Sequence, residues 1–271
     1  MPTLTASGWL ASLESEYAAR REEHGFVERE RLHIQQLAAA APTTPDEFLV
    51  WFEALRTVGP GQGDPLFPWL EHKASHEDMK WFLTQEMAGE AGFDDLVALT
   101  QVRTLPRAKL EMARNYWDEM GQGHAGGMHG PMLDALAQAL GLDVDPNQTV
   151  WESLALANLM CALAANRHYA YQSIGALGAI ELTAPGRCTH VNAGLKRLGL
   201  DGPPRRYYAL HATLDVKHAH TWLREVLHPL VADDPRTARP IAEGALMRLH
   251  AGARCFERYR SELAVPNNTH G

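Results

Sequence analysis

The sequence predicts an all-α fold, and three observations carry that prediction. Alanine, leucine, glutamate and arginine fill the segments whose apolar residues recur at helical spacing, alternating β-branched runs are missing, and capping and stop residues punctuate the chain at helix-length intervals. A chain of 271 residues can bury a sizeable core. No internal repeat, low-complexity linker or composition change divides it, so the reading is one domain over residues 1 to 271, with loose tails at 1 to 6 and 265 to 271.

The first helix runs from about residue 7 to 39. Thr44-Pro45-Asp46-Glu47 opens a second in the cap-then-proline pattern, and GPGQGDPLFP, residues 59 to 68, is the clearest loop. Ser75-x-x-Asp78 forms a capping box for one helix through DMKWFLTQEMAGEAGFDDLVALTQ, and Pro106 starts another through RAKLEMARNYWDEM. Gly121, Gly123, Gly126 and Gly127 then break the chain before a shorter helix, about 128 to 140, that stops at Gly141. Thr149-x-x-Glu152 reads as a second capping box, opening an alanine-rich helix that continues to about 182, where TAPG stops it. GRCTHVNAGLKRLG is a short helix, DGPP a turn, residues 204 to 230 a long helix, and the segment from 235 to 263 the last.

Charge and composition exclude several classes. The formal net charge is −8, with no dense basic run or basic stripe with interleaved aromatics, which disfavours nucleic acid as a partner. No stretch approaches the roughly 18 consecutive apolar residues of a membrane span, and the N-terminal segment lacks the basic start and apolar core of a secretory leader. Cys161, Cys188 and Cys255 are widely spaced and form no CxxC pair, which fits a reducing cytoplasm better than a disulfide scaffold or a thiolate zinc site. They are read as core residues, as are Tyr116, Trp117, Trp151 and Met160.

The stretch HATLDVKH, residues 211 to 218, carries the strongest chemical signal. At about 100° per residue, His211, Asp215 and His218 fall within an arc of roughly 60° on one helix. Tyr208, Trp222 and Glu225 extend that stripe, while His220 projects from the opposite side and is not expected to bind metal. Partners for such a face should be acids or histidines on other inner faces. Glu181 ends a stripe of Ile174, Leu177 and Gly178, and Glu86 shares one with Met79, Phe82, Leu83, Gly89 and Phe93, with Glu90 one turn later competing for its role. An ionised carboxylate buried alone costs several kcal/mol, which coordination to a cation recovers. Glu119 closes one helix and His129 opens the next, and the glycines between them let both converge. Asp118 faces about 100° away from Glu119 and His124 lies within the glycine run, so both are less favoured. The set Glu86, Glu119, His129, Glu181, His211, Asp215 and His218 holds four carboxylates and three imidazoles, which two divalent cations would neutralise. Ligation by oxygen and imidazole without thiolate suits iron or manganese inside a helical bundle.

Four stretches together resemble the heme-oxygenase-like di-iron oxidases and oxygenases, also labelled iron-containing redox enzymes. They are QEMAGEAGFDDLVALTQ, NYWDEMGQGHAGGMHG, the glutamate of GALGAIEL, and HATLDVKH with its H-x-x-x-D-x-x-H form, spanning about residues 82 to 218. The resemblance implies a heme-oxygenase-like bundle of about seven core helices. It makes Glu119 and His129 ligands from one hairpin, Glu181 a bridging or chelating carboxylate, and His211, Asp215 and His218 the ligands of the last core helix. It prefers Glu86 to Glu90 as the first ligand, by its distance ahead of Phe93. It also implies two Fe(II) ions, O2 as co-substrate, an external electron donor, and N-oxygenation, desaturation or carbon–carbon cleavage of a small amino acid or fatty acid.

The expectation is therefore a cytoplasmic, O2-dependent di-iron oxidase acting on a small carboxylate-bearing substrate, with a homodimer as the commonest assembly for such a chain. Arg114, Arg167 and Arg187 are the arginines offered for the substrate carboxylate. Two other classes stay open at this stage: an iron-binding or storage protein without a dedicated organic substrate, and a metal-free thiaminase-like hydrolase on the same scaffold.

Overall fold

A computed structural model describes residues 8 to 266, apart from residue 91 and the side chains of residues 89 and 90. The N-terminal segment 1 to 6 and most of the C-terminal tail, both expected to be loose, lie outside the described residues, whereas Val265 is buried in the core and corrects that expectation. The described residues form twelve α-helices and no strand: α1 Trp9–Ala39, α2 Pro45–Val58, α3 Leu66–His72, α4 His76–Glu90, α5 Phe93–Thr100, α6 Pro106–Glu119, α7 His129–Leu140, α8 Trp151–Ala165, α9 Ala170–Arg197, α10 Arg206–Thr221, α11 His228–Asp233 and α12 Ala238–Glu262. The fold is the all-α, heme-oxygenase-like bundle that the sequence implied.

Helix α9 is its axis. Between Gln172 and Ala184 every residue but Ile180 is buried, because α10 covers one side of α9 and α12 the other. Its run of Ala, Gly, Ser and Leu lets both neighbours approach closely, and a helix apolar on all sides belongs in the middle of a bundle. Glu181 lies within that buried stretch. One contiguous core joins α9 to the inner faces of the other helices, down to the Val27, Ile34 and Ala38 stripe of α1. No helix among the described residues is long and apolar enough to cross a membrane.

Several element boundaries differ from expectation, each for a local reason. Asp64 accepts from the Leu66 amide at 2.9 Å, so α3 begins inside the expected loop. The Ser75/Asp78 capping box forms as expected, but its helix is cut at Gly92, whose left-handed φ of 89° separates α4 from α5. Thr149 caps nothing: α8 starts after Val150, whose amide is taken by Gln85 Oε1 at 2.8 Å. Asn166 ends α8 by accepting from the His168 amide at 3.0 Å. Helix α9 then runs straight through the expected stop at TAPG, since packing overrides the loss of one backbone hydrogen bond at Pro185. A π-helical segment, Trp222–Leu227, interrupts the long helix expected over 204 to 230. It shifts the phase of the stripe: Trp222 stays buried, but Glu225 turns outward to pair with Arg107 at 2.6 Å. Trp117, Trp151 and Cys161 are exposed rather than core.

Candidate metal centre

Three structural devices bring the polar groups together. The first is the hairpin between α6 and α7. Gly121, at φ 60°, packs so tightly on Gly127 that a Cβ there would lie 2.3 Å from the Gly127 carbonyl carbon, and an antiparallel bridge between Met120 and Met128 closes the loop. Glu119 and His129, at the two ends, are thereby aimed at one point, with Glu119 Oε2 2.5 Å from His129 Nδ1. The second is α10, which buries His211, Asp215 and His218 on one face and leaves His220 exposed beside Arg224. The third is α9, which carries Glu181 to the same place. All six of these side chains are at most 8% exposed.

Their atoms form two overlapping groups. Glu119, His129 and His211 each offer a ligand atom within 4.8 Å of the others, and so do Glu119, Glu181 and His218. Glu119 is common to both, whereas the resemblance assigns the bridging or chelating role to Glu181. Neither ring nitrogen of His129 has an aligned hydrogen bond. His218 Nδ1 lies 3.5 Å from Glu181 Oε2 and 3.7 Å from Asp215 Oδ1, likewise without an aligned bond. Buried imidazole nitrogens facing carboxylates without bonding them are what a set of cation ligands looks like, because the atoms converge on a shared point rather than on each other. The residues present therefore fit a metal.

Outer contacts orient these groups. His211 Nδ1 donates to the Tyr207 carbonyl at 2.8 Å, which leaves Nε2 as the ligand nitrogen. His218 Nε2 lies 3.1 Å from Asp118 Oδ2, leaving Nδ1 toward the centre. Asn115 Nδ2 donates to Glu181 Oε1 at 2.5 Å. Sequence reasoning set Asp118 aside as a ligand and overlooked Asn115, although Asn115 sits one turn before Glu119 on the same face. Without metal the two imidazoles titrate in opposite directions. Burial, reinforced by positive charge on His218, pushes His129 down to about 4 from its ordinary 6.5. Burial alone would also lower His218, but Glu181, Asp118 and Glu119 override it and raise it to about 9.

Residues 80–253, more than half of the chain, match the family described as iron-containing redox enzyme. The chain belongs to that family. No curated protein matches its sequence. Among solved structures it is similar to a CADD-like protein of unknown function from Nostoc punctiforme, seen in two crystal structures. One, at 17% identity, covers 90% of this chain and 99% of that one with a TM-score of 0.58. The other, at 18%, covers 93% and 100% with a TM-score of 0.56. At such identities the likeness speaks for the fold alone.

One expected ligand stands apart from the two groups. Glu86 is half-buried beside Met79, Phe82 and Leu83, and the Tyr259 hydroxyl, reaching α4 from α12, is its hydrogen-bond partner. Glu86 joins neither ligand group, and the Tyr259 phenol is the partner it meets. The side chain of Glu90, its competitor, lies outside the described residues. Asp94, on the first turn of α5, is the carboxylate that sequence reasoning missed. It lines a cavity of about 70 Å³ together with Glu119, His129, Glu181, His211 and Asp215. Phe93, Leu133, Ile180 and Ala184 supply the apolar wall.

Proposed function

We propose that this chain is an O2-dependent non-heme di-iron oxidase that oxidises a small carboxylate-bearing substrate of the amino-acid class. The observation that carries the reading is the sharing of Glu119 between two buried ligand groups. His129 and His211 would hold one iron, Glu181 and His218 the other, with Glu119 between them and Asp215 beside the second. Asp94 takes the part that the resemblance gives to Glu86, so that four carboxylates face two divalent cations and balance them. Ferrous ions bound there would supply the electrons for O2 activation, and an external donor would restore them between turnovers.

The rest is the work of the chain. Tyr207 and Asp118 fix the imidazole orientations, and Asn115 holds one oxygen of Glu181 so that the other is presented to the centre. The apolar wall keeps bulk water from the reacting groups. The wide spacing of Cys161, Cys188 and Cys255, with no CxxC pair, favours a reducing, cytoplasmic setting. Anaerobic loading with ferrous iron tests the reading: about two irons per chain are expected, with O2 uptake on mixing that is accelerated by the right amino acid. A chain that takes up no iron and consumes O2 unchanged is not such an oxidase. Iron uptake whose oxidation no organic acid accelerates indicates a storage protein instead.

A further inference from the structure

Of the three arginines offered for a substrate carboxylate, two are engaged elsewhere. Arg114 pairs with Glu111 at 2.7 Å on the outer side of α6, and Arg167 donates to the Thr100 carbonyl at 3.3 Å. Arg187 differs. Ile180, Ala184 and Arg187 follow one another at i, i+4 and i+7, so Arg187 continues the wall of α9 that faces the metal cavity. It also lines a larger cavity of about 270 Å³ between α9, α10 and the segment before α3, and stands where the two meet.

Its surroundings hold the side chain without neutralising it. Nη1 donates to Thr183 Oγ1 at 2.8 Å, and the guanidinium carbon stands 5.7 Å from the centre of the Phe256 ring. Among the described residues no carboxylate lies within ion-pair distance of Arg187. The other charged groups of the larger cavity are matched: Arg56 by Glu53 at 3.9 Å, His190 by Glu71 at 2.5 Å, and Asp64 by Arg260.

We infer that Arg187 is the carboxylate anchor of the substrate site, holding the acid group at the junction of the two cavities while the reacting end of the substrate enters the metal cavity. This rests on the di-iron reading above. Two divalent cations offset Asp94, Glu119, Glu181 and Asp215, so the loaded centre has no net charge left to attract an incoming carboxylate. A half-buried acid then needs its own cation, and a planar guanidinium with unmatched charge is the donor suited to it.

The test is equilibrium binding of hexanoate and L-norleucine, each against the carboxamide that lacks its carboxylate charge, to anaerobic iron-loaded protein by calorimetry, with iron content measured on the same samples. Wild type should prefer the acids about tenfold, the scale of one charge-assisted hydrogen bond. Arg187→Met should erase that preference with helical content and iron content unchanged, Arg187→Lys should keep part of it, and Arg114→Met all of it. Equal affinity for acid and amide in wild type, no binding of either acid, or an undiminished preference in R187M overturns the inference while normal iron content leaves the metal reading standing. Absence of iron uptake in wild type overturns the metal reading itself.

Discussion

His129 Nδ1 stands 2.5 Å from Glu119 Oε2, yet the pair is not aligned as a hydrogen bond. Both groups are buried, and both offer a ligand atom to the place that His211 also faces. Glu119 reaches both ligand groups, so its loss should be felt at both metals. Glu119→Ala is expected to lower iron content from about two per chain to near zero, whereas His129→Ala or His218→Ala should each leave about one. Elemental analysis after anaerobic loading and desalting checks this. Retention of one iron in E119A would show that the two groups are independent.

Asp118 meets His218 Nε2 at 3.1 Å and belongs to neither ligand group, so on the di-iron reading it acts through His218. Its carboxylate, held also by Gln122 Nε2 at 2.9 Å, fixes the imidazole with Nδ1 toward the centre. Outer partners of this kind typically contribute about 10- to 100-fold in metal affinity. Asp118→Asn should therefore weaken one of two binding steps by about that factor and spare the step that depends on His129 and His211. Competition titration with a chelator resolves the two steps, and equal weakening of both would place Asp118 in a general structural role.

The metal-free protein should be most stable near pH 6.5. His218, raised to about 9 when folded, contributes stability that is complete below its ordinary 6.5 and lost as pH climbs through 9. His129, lowered to about 4, contributes stability that is complete above 6.5 and lost as pH falls through 4. Melting temperatures of chelated protein across that range should decline on both sides. His218→Gln should flatten the alkaline limb and His129→Gln the upper part of the acid limb. A chelated protein whose alkaline limb survives in H218Q owes it to other groups.

Local spacing explains what could be read from the chain beforehand. His211, Asp215 and His218 are one helical stripe, and Glu119 with His129 is a glycine hairpin, so both depend on neighbours in sequence. The interruptions at Gly92 and Asn166 were hidden because a glycine or asparagine within a helical pattern does not say whether the chain will bend there. The π-helical segment at Trp222 has no residue signature, and it alone turned Glu225 outward. Asp118 reaches His218 only through the approach of α6 to α10. The ambiguous case was Glu86: its stripe showed that a carboxylate turns toward the core, but the identity of the donor that meets it is a property of tertiary packing.

That donor defines the last prediction. Burial, and next the Glu86 carboxylate, hold the Tyr259 phenol well above its ordinary value, and Ser153 Oγ lies 2.7 Å from the same hydroxyl. Glu86→Leu removes the phenol's acceptor and should cost about 1–3 kcal/mol, read as a lower denaturant midpoint, while iron content stays at the wild-type level. Asp94→Asn should do the reverse. It removes a carboxylate from the cavity wall, so iron binds more weakly, but Asp94 is only half-buried and the denaturation midpoint should move little. Measured side by side, the two variants distinguish a carboxylate needed for stability from one needed for iron binding. Loss of iron in E86L with an unchanged midpoint would return the ligand role to Glu86.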